Sequence, residues 1–244
     1  MKNSSLVESI YADWLVDKNI ENRKKYEEHK GVFSASSAGS CFRKQYLKTK
    51  GLEEPPLDKR VMRLLRLGTI VHEDIQQSIK DNFNDPKIDL YIEHKIQIPE
   101  LNVVGHLDLA MHNKEEDNIH IFDIKTCASY KWRMKFGRKR EKNGSVNYNL
   151  QIGTYAFGLG EELNTAEIEM TLLWYNKDTS MLREEYLTNN WINDAIEYWE
   201  ELNDTLEDVE SEDGRELIPG SYGVPMMSWE CRYCGFKDIH CQGV

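Results

Sequence analysis

The middle of the chain contains three strand-like segments in succession, and this order restricts the fold more than any other feature of the sequence. Hydrophobic and polar residues alternate over 89–98, and segments 103–111 and 119–126 follow with the same strand character, as expected for strands with one buried face. The links at 99–102 and 113–118 contain Pro, Asn and charged residues, which predict hairpin turns. Consecutive strands joined by short turns are usually neighbours in one sheet.

Segments of helical character surround these strands. The predicted helices cover 4–30, 58–83, 148–159 and 189–206, and two further strands cover 166–175 and 181–187. A short helix carrying Cys41 is expected to be capped by Ser36 or Ser37 and to end near Gly51. This order predicts an α/β or α+β fold with a mixed central sheet flanked by helices. We expect one domain, divided into an N-terminal helical part over 1–57, a core over 58–206 and a C-terminal tail over 207–244.

The composition is that of a globular protein, with 40% hydrophobic and 30% charged residues. No apolar run approaches the roughly 20 residues that span a bilayer. The first 20 residues also lack the basic and apolar regions of a secretory signal. We therefore expect a cytoplasmic protein without a membrane segment.

The charge of the chain is unevenly distributed. Its 244 residues carry a formal net charge of −11, whereas proteins that bind nucleic acids are usually basic. However, seven Lys and Arg residues accompany one Glu over 131–142, and ten acidic residues accompany one Arg over 197–216. Because the local field at a site matters more than the total charge, the net charge does not exclude a nucleic-acid substrate.

Two acidic residues and a lysine occupy adjacent predicted strands. Asp108 lies on one strand, and Asp123 and Lys125 lie two residues apart on the next, so the latter pair faces one side of the sheet. Antiparallel pairing would bring Asp108 beside Asp123, and two carboxylates suit Mg²⁺ or Mn²⁺. A neighbouring lysine can position or deprotonate water and stabilise a phosphate, as phosphodiester hydrolysis requires. Each residue alone also fits the solvent-exposed edge of a sheet.

Two helical positions extend this pattern. His72 lies on the long predicted helix, although a single histidine on a helix is usually structural or exposed. Gln151 and Tyr155 are four residues apart on the helix after the Asp123 strand, so they share a helical face. That spacing also fits ordinary packing of a core tyrosine.

Four of the five cysteines suggest a metal or cluster site. Cys231, Cys234 and Cys241 form a Cys-x2-Cys-x6-Cys run, and Cys41 lies far upstream. Four thiolates can hold a 4Fe-4S cluster or a tetrahedral zinc ion, and disulfides are rare in intracellular proteins. A local zinc site would normally draw on two nearby cysteine pairs, whereas only three cysteines are close together here. We expect Cys127 to be a small core residue.

A basic and aromatic segment lies between the Asp123 strand and the Gln151 helix. We predict a loop that contacts DNA, because cations bind phosphates and aromatic rings stack on unpaired bases. A solvated run of charge is the alternative. The residues expected to contact DNA are Lys131, Trp132, Arg133, Lys135, Arg138, Lys139 and Arg140.

Together these motifs resemble the RecB-like nucleases of the PD-(D/E)xK superfamily, in particular the CRISPR-associated type of exonuclease with a four-cysteine iron–sulfur cluster. The resemblance implies a restriction-endonuclease-like core. It also implies that Mg²⁺ or Mn²⁺ is bound by His72, Asp108, Asp123 and the carbonyl of Ile124, with Lys125 as the catalytic lysine.

The same resemblance assigns further roles. Gln151 and Tyr155 would contact DNA or support the site, and the 4Fe-4S cluster would join Cys41 to the three C-terminal cysteines. Asp123 stands where the family often has Glu, and both residues are permitted. Glu93 is a weaker candidate, which we expect to be structural.

The implied activity is that of a metal-dependent deoxyribonuclease. We expect an exonuclease that acts on DNA ends or single strands in recombination, repair, or viral or mobile-element DNA processing, with helicase or recombination partners. A non-catalytic DNA-binding adaptor and a zinc-stabilised interaction module are the alternatives. The presence of Asp108, Asp123 and Lys125 together argues against the adaptor, because a degenerate site tends to lose one of them.

Overall fold

The computed structural model describes residues 6–27, 31–52, 54–138, 145–210 and 230–241. The long helices and strands follow one another in the predicted order, and α4 and the short strand β1 are additional. The helices are α1 (Leu6–Glu27), α2 (Phe42–Thr49), α3 (Lys59–Asn82), α4 (Ser129–Phe136), α5 (Val146–Leu163) and α6 (Asn190–Glu210). The strands are β1 (Phe33–Ser34), β2 (Ile88–Ile98), β3 (Val103–Asn113), β4 (Asn118–Cys127), β5 (Glu167–Asn176) and β6 (Leu182–Leu187).

The strands form one mixed sheet in the order β2-β3-β4-β5-β6. The pairs β2/β3, β3/β4 and β5/β6 are antiparallel, whereas β4/β5 and the short pair β1/β3 are parallel. The predicted fold class, a mixed central sheet flanked by helices, is therefore confirmed.

Strands β3 and β4 are paired over only part of their length. Their ladder runs from Asn113 opposite Asn118 to Leu109 opposite Phe122 and then ends. The short strand β1 pairs with the start of β3. Because β2 occupies one edge of β3 along its length, β1 lies on the edge that β4 occupies further along. The two central strands consequently separate in the middle of the sheet.

Helix α5 connects the parallel strands β4 and β5, as a crossover connection requires. Most of its residues are buried, and it packs on the sheet and on α6. Its Tyr155 lies against Gly105 of β3, where an added Cβ atom would lie 2.8 Å from the Tyr155 ring and 2.7 Å from Ala35 Cβ. The absence of a side chain at Gly105 therefore allows α5 and β3 to approach closely.

Two local predictions were wrong. Cys41, and neither Ser36 nor Ser37, stands at the N-cap of α2, because both serines belong to a separate 3₁₀ turn over Ala35–Ser37 that precedes the helix. The segment predicted as a basic loop begins as helix α4. Packing of its aromatic residues on the sheet outweighs the weak helical signal of a highly charged sequence.

No helix in the described parts of the chain is both long and apolar enough to cross a membrane.

Replacing Gly105 tests the close packing of α5 on β3. Gly105→Ala should lower the free energy of unfolding by about 1–3 kcal/mol, because the new methyl group forces Tyr155 or Ala35 to move. His106→Ala, at the neighbouring exposed position of the same strand, should change it by less than about 0.5 kcal/mol. Denaturant unfolding of both variants measures the difference, and equal stabilities would contradict this packing.

Candidate active site

The candidate site forms where β3 and β4 separate. Asp108 and Asp123 occupy the next opposite positions after the last pair of the ladder. Asp108 Oδ2 accepts a hydrogen bond from the main-chain nitrogen of Ile124 at 2.6 Å. The carboxylate therefore takes the place of a strand-to-strand hydrogen bond at the fork.

Asp123 is a buried carboxylate, with only 1% of its side chain exposed. Lys125 Nζ lies 2.7 Å from Asp123 Oδ2. Neither carboxylate oxygen is in hydrogen-bonding geometry with any partner among the described residues, so we regard the contact as a charge pair. Burial raises the pKa of Asp123 to about 6; the Lys125 charge opposes this shift and the Asp108 charge adds to it.

Lys125 carries its charge inside the protein. Burial alone would lower its pKa, but the charges of Asp123 and Asp108 outweigh that effect and raise the pKa. Nζ donates a hydrogen bond to Gln151 Oε1 at 2.9 Å and lies 4.9 Å from the centre of the Tyr148 ring. These contacts hold an ammonium group beside the two carboxylates.

Gln151 and Tyr155 form a second layer behind Lys125. Gln151 Nε2 donates to the Tyr155 hydroxyl at 3.2 Å. Both side chains are buried, with Tyr155 only 2% exposed. Of the two roles expected for them, burial favours support of the lysine over direct contact with DNA.

Helix α3 contributes His72 to the site, whereas Gln151 and Tyr155 come from α5. His72 Nδ1 lies 3.3 Å from Asp108 Oδ1. Burial lowers the pKa of His72, but the hydrogen bond to Asp108 and the nearby carboxylate charges outweigh burial and raise it overall. The structure thus brings His72 into the same cluster as Asp108, Asp123 and Lys125.

Gln76, one turn after His72, was not identified from the sequence. It is 5% exposed, and its Nε2 donates to the main-chain oxygen of Asp108 at 2.9 Å and to Glu93 Oε1 at 2.6 Å. Its spacing of four residues from His72 is the only sequence signal that would have pointed to it.

The donor set fits a hard divalent cation. Carboxylate oxygens and an imidazole meet at one point of the sheet, and the buried Asp123 oxygens lack hydrogen bonds among the described residues. Within the described ranges, however, no three His, Cys, Asp or Glu side chains already converge at metal-ligand distances. Asp108 Oδ1 is engaged by His72, and Asp123 Oδ2 by Lys125, so a cation would replace these contacts.

Some side chains of the basic segment pack on the protein, and others are exposed. Trp132 packs against Phe136 with ring centres 4.8 Å apart, and Lys135 pairs with Glu185 at 2.7 Å. Arg133 and Arg138 are exposed. Lys131 is partly buried, and Lys139 and Arg140 lie outside the described residues. Tyr130 was not predicted as a site residue, but it is 67% exposed.

The four expected cluster cysteines line one cavity, whereas Cys127 is buried elsewhere at the end of β4. Polar contacts join α2 to the C-terminal segment around it: the main-chain nitrogen of Cys41 donates to Glu230 Oε1 at 3.1 Å, and Arg43 donates to the main-chain oxygen of His240 at 3.1 Å. Burial raises the pKa of the Cys41 thiol, an effect that hydrogen bonds from nearby main-chain groups oppose. The cavity residues other than Arg43 and Glu230 are Cys41, Lys44, Leu47, Cys231, Cys234, Phe236, Lys237 and Cys241.

The chain belongs to the PD-(D/E)XK nuclease superfamily. The model of this family matches residues 82–242, more than half of the chain. This region contains Asp108, Asp123 and Lys125 and begins after His72. No curated protein matches the chain in sequence.

Solved structures share the fold at low sequence identity. The crystal structure of SSO0001 superposes with a TM-score of 0.58 at 16% identity, covering 96% of this chain and 98% of that one. The structure of LHK-Exo, an alkaline exonuclease from Laribacter hongkongensis, in complex with dAMP gives a TM-score of 0.50 at 11% identity and covers 76% and 92% of the two chains. Such likenesses support the fold assignment.

The raised pKa of Asp123 predicts how metal binding depends on pH. A carboxylate must lose its proton to bind a cation, so affinity for Mn²⁺ should fall as the pH is lowered through about 6. We expect a loss of about tenfold between pH 7 and pH 5, whereas an ordinary aspartate with a pKa near 4 would give almost none. Titration followed by electron paramagnetic resonance of free Mn²⁺ measures this dependence.

A control separates the titration of His72 from that of Asp123. The variant His72→Asn removes the imidazole, and its Mn²⁺ affinity should still decline over the same pH range. Unfolding curves at each pH verify that the protein stays folded. An affinity that is constant from pH 5 to pH 7 would contradict the raised pKa.

Proposed function

We propose that this protein is a metal-dependent deoxyribonuclease that removes nucleotides from DNA ends or from single strands. One observation carries the proposal: Asp108, Asp123, Lys125 and His72, from two strands and a helix, form one cluster at the fork of the sheet. Membership of the nuclease superfamily supports the reaction class. Recombination, repair, or viral or mobile-element DNA processing is the proposed setting.

His72, Asp108, Asp123 and the carbonyl of Ile124 would hold Mg²⁺ or Mn²⁺. The bound ion would supply a Lewis acid for the phosphate and would lower the pKa of a bound water. The carboxylates contribute the negative charge that selects a hard cation. Asp108 is fixed at Oδ2 by the Ile124 main chain, and a bound cation would take the place of His72 Nδ1 beside Oδ1.

Lys125 would stabilise charge on the phosphate. Its raised pKa keeps the ammonium protonated at neutral pH, so electrostatic stabilisation of the reacting phosphate is favoured over proton abstraction from water. Gln151, held in turn by Tyr155, fixes the direction of the ammonium group. Such fixed orientation is what makes a charge effective in a transition state.

DNA and an exonuclease mode are proposed on two grounds. LHK-Exo, which shares the fold, is an alkaline exonuclease and has been crystallised with dAMP. Helix α4 also follows β4 directly and exposes Arg133 and Tyr130, which suit a phosphate and an unpaired base.

A 4Fe-4S cluster bound by Cys41, Cys231, Cys234 and Cys241 is the second part of the proposal, with zinc as the alternative. Its support is the single cavity that these four residues line and the thiolate preference of such clusters. The cluster would link α2 to the C-terminal segment, which are more than 180 residues apart in sequence. We therefore assign it a structural role.

Substitutions in the cluster test the nuclease activity. Asp108→Asn and Asp123→Asn should each reduce cleavage of end-labelled DNA in Mg²⁺ by at least about a thousandfold, since each removes a charged ligand. Lys125→Met should lose cleavage but retain binding of the same DNA in Ca²⁺. Lys177→Met, at a partly exposed lysine that follows β5, is the control and should cut normally.

Single- and double-stranded substrates labelled at either end measure the rate and the mode of cleavage. Normal cleavage by Asp108→Asn or Asp123→Asn would contradict the site. If Lys125→Met loses binding and cleavage together, the lysine holds the substrate and our assignment of its role is wrong.

Cysteine substitutions test the proposed cluster. Cys41→Ser should lose bound metal and lower the unfolding temperature as much as Cys231→Ser, Cys234→Ser or Cys241→Ser does, because all four would be ligands. Cys127→Ser is the matched control and should keep full metal content. Iron and zinc analysis with the visible spectrum distinguishes the two metals. A Cys41→Ser protein with full metal content and unchanged stability would contradict the link between the two segments.

A further inference from the structure

Strand β2 contains a left-handed residue directly opposite Asp108. Glu93 has a φ of 52°, a conformation that is uncommon for a residue with a side chain. The pairing of β2 with β3 includes Ile92 with Leu109 and His94 with Leu107, but Glu93 and Asp108 between them are not paired. The ladder is therefore interrupted at one position, which is the position of a candidate metal ligand.

This interruption reverses the alternation of side chains in both strands. The rings of Tyr91 and His94 lie 5.0 Å apart, although residues three apart in a regular strand face opposite sides. Leu107 and Ala110 are likewise three apart, and both are fully buried in the same core. Because of the reversal, the residues before and after Asp108 in the sequence, Leu107 and Ala110, can both pack in the same core.

Gln76 binds the main-chain carbonyl of Asp108, which the interruption leaves without a partner in β2. Its Nε2 donates to the main-chain oxygen of Asp108 at 2.9 Å, and to Glu93 Oε1 at 2.6 Å. Because Gln76 is buried and lies one turn from His72, α3 holds Asp108 both by its carbonyl and by its carboxylate. The other carboxylate oxygen binds the Ile124 nitrogen.

We infer that Glu93 and Gln76 are positioning residues for Asp108. The left-handed conformation of Glu93 interrupts the pairing of the Asp108 main chain with β2. Gln76 then binds the unpaired main-chain carbonyl of Asp108. Together they place the Asp108 carboxylate between His72 and the Ile124 nitrogen. The main-chain conformation of Glu93 is the essential feature, and its carboxylate is not a metal ligand. The relevance to catalysis rests on the proposed function, whereas the positioning itself does not.

Three variants separate conformation from side-chain chemistry. Glu93→Gly keeps the left-handed conformation, since glycine adopts it without strain, and removes the carboxylate. Glu93→Val disfavours that conformation because its side chain is β-branched. Gln76→Met keeps a side chain of similar size in the core but removes both hydrogen bonds.

The amide of Ile124 reports the position of Asp108 without metal or activity. Its hydrogen exchange should be faster by about tenfold or more in Glu93→Val and Gln76→Met, relative to the amide of Ile121, because the acceptor at Asp108 moves away. Glu93→Gly should exchange at close to the wild-type rate. Mn²⁺ affinity should follow the same order, with losses of about 10- to 100-fold in Glu93→Val and Gln76→Met.

Ser180 provides a matched control. It has a φ of 55° in the turn between β5 and β6, so Ser180→Val introduces a similar strain away from the site. Ser180→Val should lower the unfolding temperature and leave both the Ile124 exchange ratio and Mn²⁺ affinity unchanged.

Unchanged exchange at Ile124 in Glu93→Val and Gln76→Met would overturn the inference. A Glu93→Gly protein that loses Mn²⁺ affinity with normal Ile124 exchange would also overturn it, because the carboxylate would then be a ligand. Failure of the nuclease proposal looks different: the wild-type protein would neither bind Mn²⁺ at this site nor cut DNA, while the exchange pattern would still test the positioning.

Discussion

The hydrogen bond from the Ile124 main chain to the Asp108 carboxylate is the contact on which the site depends. It spans the fork at which β3 leaves β4, where the ordinary ladder has ended. A side chain thus replaces a main-chain acceptor at the centre of the sheet. This substitution fixes Asp108 opposite Asp123, where the main-chain pairing of the two strands has ended.

The fork also explains how charged groups are tolerated in the core. Asp123 is buried and Lys125 is largely buried. Removing one partner of a buried charge pair destabilises a protein by about 3–5 kcal/mol, because the other charge is left without compensation. Here each charge faces the other at 2.7 Å, and Gln151 provides the lysine with a neutral acceptor. Neither Asp123 carboxylate oxygen is in hydrogen-bonding geometry with a partner among the described residues, which is consistent with a site organised for a cation at the expense of stability.

The sequence predicted the parts of the site that follow from strand periodicity. Asp123 and Lys125 share a face because they are two apart, and antiparallel pairing brings Asp108 to them. The left-handed conformation of Glu93 was not predictable, because no glycine or asparagine marks it and the change in alternation arises from packing on both strands. Gln76 was missed for a related reason: its partner is a main-chain carbonyl, which leaves no pattern in the sequence.

Long-range packing accounts for the other differences. Helix α4 forms because Trp132 and Phe136 pack together and Phe136 lies against Trp174, so only part of the basic segment remains exposed. By contrast, the proximity of Cys41 to the C-terminal cysteines came from family resemblance, since no local pattern connects residues so far apart. The cavity they share agrees with that expectation, while the nature of the metal remains part of the proposal.

The location of the divalent cation tests the central claim most directly. Crystals soaked in Mn²⁺ can be measured for anomalous scattering at the manganese edge. The account predicts a peak at the fork of β3 and β4, about 2.2 Å from carboxylate oxygens of Asp108 and Asp123. A manganese peak elsewhere in the molecule, with none between these two carboxylates, would contradict it.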